Sequence, residues 1–224
     1  MQRTDEWFRQ RRGKLTASNM GQAIGLTPWG SPKALAKALA ADEEPTDIEK
    51  AVIKKPAAGP LVWGTTMEPN GLLEYMACTG KVVEETGFWQ HAHLDWIGGS
   101  PDGLVDSDGI VEVKCPYTKK CYAEVPPYYY CQVNALMEIT DRQWCDLCVW
   151  TPTEVKIWHI RANPHAWATL LPHYTAFWAA VCGGTQPPNL KKELLPQVQA
   201  WVAHDATLLP SQMARGQAFP AIDE

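Results

Sequence analysis

The spacing of apolar and polar residues predicts a chain built from both helices and strands. Apolar residues recur at helical spacing in six segments, which predict helices over residues 4–13, 16–25, 31–41, 61–80, 126–140 and 163–184. Five shorter runs, rich in β-branched and aromatic residues, predict strands over residues 81–89, 93–99, 110–115, 143–151 and 154–162. Helices, a strand meander, a crossover helix and further strands together indicate a mixed α/β domain.

Capping and breaking residues set the expected ends of these helices. Ser31 can cap the third helix, and Pro32 suits its first position because no backbone hydrogen bond is needed there. The helix over residues 61–80 contains Pro69 and Gly71, which we expect to kink or interrupt it. The pattern therefore predicts a continuous third helix and a broken fourth one.

Two segments are expected to lie outside the core. Residues 42–60 are rich in charged residues and proline, which predicts a surface loop rather than a domain boundary. From residue 190 onward helical pieces alternate with proline, which predicts a C-terminal helical tail over residues 190–224. We therefore expect residues 1–224 to form a single domain.

Composition and cysteine content narrow the class of protein. With 224 residues, of which 46% are hydrophobic, the chain can bury a sizeable core. No run of eighteen apolar residues occurs and the first residues are polar, so we expect a soluble cytoplasmic protein without a membrane span. The seven cysteines follow no regular spacing, so we expect Cys145 and Cys148 to be buried reduced thiols rather than metal ligands.

The charge distribution leaves a nucleic-acid partner open. The formal net charge is −5, whereas nucleic-acid-binding proteins usually carry a basic excess. Basic residues are nevertheless clustered at residues 9–14, 54–55, 119–120 and 191–192. Net charge therefore neither supports nor excludes DNA binding, and the local placement of the charges must decide.

The predicted strand over residues 110–115 contains two charged residues in an otherwise apolar run. Strand periodicity places Glu112 and Lys114 on one face, and a turn before the strand can bring Asp102 beside Glu112. Two carboxylates and the backbone carbonyl of Val113 offer the oxygen ligands that Mg²⁺ or Mn²⁺ prefers. Lys114 on the same face could position a water or balance the charge of a phosphate. The residues alone also allow a second interpretation, a buried Glu–Lys ion pair on an edge strand.

Four ordered motifs resemble one enzyme family. SPDG followed by EVKCP resembles the core motif of the PD-(D/E)XK nucleases, in the form found in lambda-type (YqaJ-like) phage exonucleases. WFRQRRGKLTAS, WGTTMEPNGLLEYM and YYYCQVNALM are similar to three further motifs of that family, in the same order. The resemblance extends from Trp7 to about Ile160. It implies a restriction-endonuclease-like fold of the α/β (α+β) class, with a mixed central sheet flanked by helices.

The resemblance also implies roles for individual residues. Asp102 and Glu112 would bind metal with the Val113 carbonyl, Glu68 would complete the acidic site, and Lys114 would be the catalytic lysine. The remaining implied positions are Gln132 and Tyr129 at the catalytic centre, and Arg11, Ser18 and Ser100 in a pocket for the 5′-phosphate of DNA. Two Mg²⁺ ions per active site, with Mn²⁺ as a possible substitute, would be the cofactors.

The activity implied is 5′→3′ exonuclease degradation of one strand of linear double-stranded DNA, which leaves 3′ single-stranded tails for recombination. The expected partners are linear duplex DNA with a 5′-phosphate, a phage-type single-strand annealing protein and further copies of the chain in a homotrimeric ring. A phage or prophage protein in the cytoplasm of a bacterial host fits this function. Two alternatives remain: a PD-(D/E)XK endonuclease that cuts internally, and a non-catalytic DNA-end-binding protein.

Overall fold

The computed structural model describes residue 2 and residues 4–41 and 59–210 of the 224-residue chain. The loop predicted over residues 42–60 therefore lies outside the described residues apart from Gly59 and Pro60. The same holds for the last 14 residues of the predicted tail, 211–224. Within the described residues, no helix combines the length and apolar character needed to cross a membrane.

Seven α-helices are present in the described part of the chain: α1 (Asp5–Arg11), α2 (Met20–Ala23), α3 (Pro32–Ala40), α4 (Pro60–Thr79), α5 (Pro127–Thr140), α6 (Pro164–Gly183) and α7 (Lys191–Asp205). A short 3₁₀ turn over Ala17–Asn19 precedes α2. The third helix begins where its sequence predicts, because the Ser31 side chain accepts a hydrogen bond from the Ala34 amide at 3.2 Å.

Within residues 4–41 and 59–210, nine short strands form two sheets: β1 (Leu15–Thr16), β2 (Val83–Glu84), β3 (Trp89–Gln90), β4 (Ile97–Gly99), β5 (Gly103–Val105), β6 (Gly109–Lys114), β7 (Trp144–Thr151), β8 (Glu154–Arg161) and β9 (Ala206–Leu208). A six-stranded sheet has the order β2-β5-β6-β7-β8-β9, and a three-stranded sheet has the order β1-β4-β3. In the larger sheet β6 and β7 are parallel, whereas the other neighbouring pairs are antiparallel.

The centre of the large sheet is a β6–α5–β7 unit. Parallel strands need a crossover connection, and α5 supplies it between β6 and β7. One face of these strands packs against α5 through Ile110 and Leu147, which belong to the larger hydrophobic core. The opposite face packs against α4, with Val111 and Val113 in a second core around Tyr75. The sheet is therefore mixed and flanked by helices, as its sequence predicts.

Several helices and strands predicted from the sequence differ in extent from those found in the structure. The single strand predicted over residues 81–89 is wrong, because this stretch forms β2 and β3, which belong to different sheets. The helix predicted over residues 16–25 is shortened to the 3₁₀ turn and α2, since Thr16 pairs with Gly98 in the small sheet instead. Pro69 does not interrupt α4, which runs continuously over Pro60–Thr79.

Besides β1, two further strands were not identified from the sequence. β5 lies directly after Asp102 and forms the antiparallel partner of β6, so the hairpin that carries the candidate site is β5–β6. β9 follows α7 and pairs with β8, whereas the sequence predicts helical pieces alternating with proline in this tail. Both strands are only three residues long, which is too short for period-2 alternation to be recognised.

Candidate active site

Glu112 and Lys114 lie on the face of β6 that packs against α5. Glu112 is only 4% exposed. One of its oxygens, Oε1, accepts hydrogen bonds from Lys114 Nζ at 2.7 Å and from Gln132 Nε2 at 2.6 Å. Because Gln132 is on α5, this contact fixes the crossover helix to the charged pair. The structure thus brings together three of the predicted site residues.

Asp102 reaches the same place from the connection between β4 and β5. Its backbone amide donates to the Val111 carbonyl at 3.1 Å, and its carboxylate Oδ2 accepts from the Val113 amide at 2.7 Å. These two bonds to β6 fix the Asp102 side chain beside Glu112. The Val113 side chain faces the second core, so the contribution of this residue to the site comes from its backbone.

Burial and the mutual interactions of their charges shift the pKa values of Asp102, Glu112 and Lys114. Burial, together with the nearby carboxylates of Glu112 and Glu68, raises the pKa of Asp102 well above its usual value. The pKa of Glu112 is also raised by burial, although its pairing with Lys114 opposes the shift. Burial alone would lower the pKa of Lys114, but the attraction of Glu112 outweighs it and raises that pKa. Lys114 is therefore a firmly protonated cation at neutral pH.

Glu68 approaches the two carboxylates from α4. It is half-buried and close enough to raise the pKa of both Asp102 and Glu112. The position of α4 depends on Gly71, because a Cβ added there would lie 2.5 Å from Val113 Cγ1. Only glycine lets the helix backbone come this close to β6. The sequence predicted Gly71 to break the helix, whereas the structure uses it as the contact point between helix and sheet.

Tyr129 lies one helical turn before Gln132 on α5. The Lys114 ammonium is 4.9 Å from the centre of its ring, which is within the range of a cation–π interaction. The Tyr129 hydroxyl is 3.4 Å from that of Tyr122, a residue that the sequence analysis did not identify. Tyr122 lies in the segment between β6 and α5, where no periodic pattern marks it. Its position is visible only once the chain is folded.

A divalent metal fits these residues. The second oxygen of Glu112, Oε2, is buried and has no hydrogen-bond partner among the described residues. A buried carboxylate oxygen without a hydrogen-bond partner is costly unless it binds a cation or a proton, and Asp102 supplies a second carboxylate beside it. No group of three or more His, Cys, Asp and Glu side chains in the described part of the chain is arranged to hold a metal. Further ligands would therefore be backbone carbonyls, such as that of Val113, and water.

Among the residues predicted for a 5′-phosphate pocket, Ser100 lies two positions before Asp102 in the chain. Thr16 of β1 pairs in parallel with Gly98 of β4, and Ser18 and Ser100 each follow two residues later. Since parallel strands end at the same edge, both serines leave the small sheet on the same side. Ser100 Oγ accepts a hydrogen bond from the Trp7 indole at 2.9 Å. The Arg11 guanidinium lies 4.2 Å from the centre of the Trp7 ring, and the same ring contacts Ser100, so Arg11 lies on this side as well.

Another buried carboxylate was not identified from the sequence. Asp146 on β7 is fully buried and contacts Tyr75 Oη at 2.7 Å, Lys81 Nζ at 2.8 Å and His159 Nδ1 at 2.7 Å. A charged residue inside an apolar strand is the same signal that marked Glu112, so it could have been found. Asp146 lies on the α4 face of the sheet and joins α4 to β7, which indicates a structural role. Its neighbours Cys145 and Cys148 are free and buried, as predicted.

Comparisons with known proteins give consistent results. The sequence model of the YqaJ-like viral recombinase domain matches residues 6–143. The crystal structure of an alkaline exonuclease, LHK-Exo, from Laribacter hongkongensis covers 88% of this chain and 98% of its own, with 26% identity and a TM-score of 0.64. LHK-Exo in complex with dAMP gives 25% identity and a TM-score of 0.65, covering 88% and 100% of the two chains. An uncharacterized protein of Acanthamoeba polyphaga mimivirus is 23% identical over 65% of this chain, which spans only 28% of that relative's length.

Proposed function

Because the chain belongs to the YqaJ-like viral recombinase domain family, we propose that it is an Mg²⁺-dependent 5′→3′ exonuclease. Its substrate would be linear double-stranded DNA, of which it would degrade one strand and leave 3′ single-stranded tails for recombination. The similarity to the alkaline exonuclease LHK-Exo supports a nuclease activity. The observation that carries the proposal is the convergence of Asp102, Glu112, Lys114 and Gln132, with one Glu112 oxygen left available to a cation.

The residues have separate tasks in this proposal. Asp102 and Glu112, with the Val113 carbonyl, would hold two Mg²⁺ ions or Mn²⁺ in their place, and Glu68 would help to hold the second ion through its bound water. When bound, such ions activate water and stabilise negative charge on a phosphate. Hydrolysis adds one water to the phosphorus atom and breaks its bond to the 3′-oxygen. A mononucleotide with a 3′-hydroxyl then leaves, and the shortened strand begins with a new 5′-phosphate.

Lys114 acts as a cation rather than as a base. Its pKa is raised by Glu112, so the ammonium keeps its protons and can donate to the attacking water or to a phosphate oxygen. Gln132 occupies the same Glu112 oxygen as Lys114 and thereby directs the other oxygen towards the site. Tyr129 packs its ring against the ammonium and restricts its position. These contacts preorganise the charges before DNA binds.

The phosphate pocket would determine the direction of cleavage. Arg11 supplies a positive charge, and Ser18 and Ser100 supply hydroxyl donors, which together suit a terminal phosphate. Ser100 precedes Asp102 by only two residues, so the bound 5′ end would lie next to the scissile bond. Each cleavage creates a new 5′-phosphate that can occupy the same pocket. Digestion would therefore proceed inward from 5′ ends.

The proposal includes an assembly. A homotrimeric ring around the DNA could confine basic side chains to its channel, which would reconcile DNA binding with a net charge of −5. A phage-type single-strand annealing protein would receive the 3′ tails. The enzyme would act in the cytoplasm of a bacterial host, where such recombination takes place.

The decisive experiment compares two DNA substrates in the presence of Mg²⁺. We expect linear duplex with 5′-phosphates to be shortened from its 5′ ends, with release of mononucleotides, while supercoiled circles of the same sequence remain intact. Cleavage of the circles would contradict the exonuclease and favour an endonuclease. Binding of DNA ends without Mg²⁺-dependent loss of either substrate would indicate the non-catalytic alternative. Omission of Mg²⁺ with EDTA added serves as the control.

A further inference from the structure

Trp7 makes contacts on two sides of its indole ring. On the edge, the indole N–H donates to Ser100 Oγ at 2.9 Å across 93 residues of sequence. On the face, the Arg11 guanidinium lies 4.2 Å from the ring centre. The ring is half-buried, and its own backbone amide donates to the Thr4 side chain that caps α1. One side chain therefore joins two of the three residues assigned to the phosphate pocket.

The edge contact determines which way the Ser100 hydroxyl points. A serine hydroxyl has one proton to donate and two lone pairs that accept. An indole N–H can only donate, so Ser100 must use a lone pair towards Trp7 and keeps its proton for another partner. A phosphate oxygen accepts hydrogen bonds and cannot donate them when ionised. Trp7 therefore orients the Ser100 hydroxyl so that it can donate a hydrogen bond to an anion before the anion binds.

The contact on the face of the Trp7 ring restricts the side-chain conformation of Arg11. A guanidinium over the face of an indole is held there by cation–π attraction, which limits the conformations of its side chain. An arginine on the surface of a short helix would otherwise lose side-chain entropy when it binds a ligand. The contact with Trp7 removes part of this cost in advance. The same indole thus orients the hydroxyl donor and the cation relative to each other.

A nearby contact connects this arrangement to the candidate catalytic carboxylates. The Gln2 amide donates to the Pro101 carbonyl at 2.8 Å, so the N-terminal segment contacts both residues that precede Asp102. The spacing between the bound 5′ end and the metal-binding carboxylates therefore depends on the N-terminal segment. The sequence motif contains Trp7, but nothing in its spacing shows these contacts.

We propose that Trp7 is a positioning residue for recognition of the 5′-phosphate, and that it acts through Ser100 and Arg11 without contacting the reacting atoms. The inference rests on the proposed function and specifies how its phosphate selectivity arises. Trp7→Phe keeps an aromatic face but removes the N–H. The loss of one such hydrogen bond should reduce the preference for 5′-phosphorylated over 5′-hydroxyl duplex ends by about 3- to 10-fold.

The test measures this preference in two ways. The first is the ratio of kcat/KM for the two kinds of end with Mg²⁺, and the second is the ratio of their dissociation constants in EDTA, where no cleavage occurs. Trp201→Phe is a matched control, because Trp201 is also half-buried but lies on α7, where it contacts His165. We expect both ratios to fall in Trp7→Phe and to stay unchanged in Trp201→Phe.

A double substitution separates positioning from general destabilisation. In Ser100→Ala the acceptor of the indole bond is gone, so adding Trp7→Phe should cause little further loss of preference. An unchanged ratio in Trp7→Phe, or an equal loss with and without Ser100, would overturn this inference and leave the proposed exonuclease intact. A wild-type protein that shortens linear DNA without preferring phosphorylated ends would overturn the phosphate pocket together with this inference. Absence of cleavage in the wild-type protein would instead contradict the proposed function.

Discussion

The contact between α4 and β6 can be tested with two glycines of the same helix. Gly71 faces β6, and a Cβ added there would meet Val113 Cγ1 at 2.5 Å and Trp150 Cβ at 3.4 Å. Gly64 lies two turns earlier, and no atom of the described residues is within 4 Å of a Cβ added there. Replacing each glycine by alanine makes the same chemical change in two different surroundings.

The expected magnitudes follow from these distances. Alanine is about 1 kcal/mol more favourable than glycine inside a helix, and this gain applies to both positions. At Gly71 the new methyl group lies more than about 1 Å inside the optimal carbon–carbon separation of roughly 3.5–4.0 Å. Overpacking of this kind costs about 1–3 kcal/mol. Gly64→Ala should therefore stabilise the protein by up to ~1 kcal/mol, whereas Gly71→Ala should be less stable than Gly64→Ala by about 1–3 kcal/mol.

Urea unfolding followed by tryptophan fluorescence would measure the two free energies, provided that the m-values stay equal. Val113→Ala removes the atom that the new methyl group meets, so it should relieve the cost of Gly71→Ala in the double variant. Equal stabilities of Gly64→Ala and Gly71→Ala would refute the tight packing of α4 on β6. A double variant with simply additive losses would refute the role assigned to Val113.

Three further predictions concern charge and thiol chemistry. Lys114→Ala should slow cleavage of linear duplex by about 100-fold or more, because it removes a preorganised cation. DNA binding by this variant, measured in EDTA, should persist. A near-normal cleavage rate would contradict a catalytic role for Lys114. The Asp205 pKa is lowered because hydrogen bonds from His204, Tyr130 and Asn163 outweigh its burial. The contribution of the Asp205 carboxylate to the stability of the folded protein is therefore present above the unfolded pKa of about 3.9. This contribution is lost as the pH falls through the lower pKa of the folded protein. The stability difference between wild type and Asp205→Asn should shrink on acidification in urea titrations, and a constant difference would refute this linkage. Cys182 is exposed, Cys131, Cys145 and Cys148 are buried and the other three cysteines are half-buried, so Ellman's reagent should modify Cys182 fastest and the three buried thiols only in urea. Fast modification of more than four of the seven thiols in the native protein would contradict the three buried positions.

Much of the fold follows from local sequence patterns. The third helix was predicted over residues 31–41 and is found over Pro32–Ala40, because Ser31 and Pro32 specify its start without help from the rest of the chain. The two faces of β6 were also assigned correctly from alternation, since a strand buried on both sides must place successive residues on opposite faces. The family was identifiable from four ordered motifs, because each motif is a continuous run of residues.

Local patterns were insufficient where a short element depends on a distant partner. Residues 81–89 have the composition of one strand, yet the fold divides them between two sheets because their hydrogen-bonding partners lie in β5 and β4. Pro69 was expected to disturb α4, but the packing of the helix on the sheet maintains its continuity. Glycine or proline inside a helix costs about 1–3 kcal/mol, and burial of several apolar side chains can exceed this cost.

The residue pattern alone places a carboxylate and an amine inside a central strand and identifies Asp102, Glu112 and Lys114 as candidates. The fold adds that Glu112 keeps one oxygen without a partner among the described residues, because Lys114 and Gln132 both bind the other. The connection from Trp7 to Ser100 spans 93 residues and is equally invisible in sequence. The physical reason is common to both cases. Periodicity reports which side of an element is buried, whereas hydrogen-bond partners are chosen when separate elements pack together.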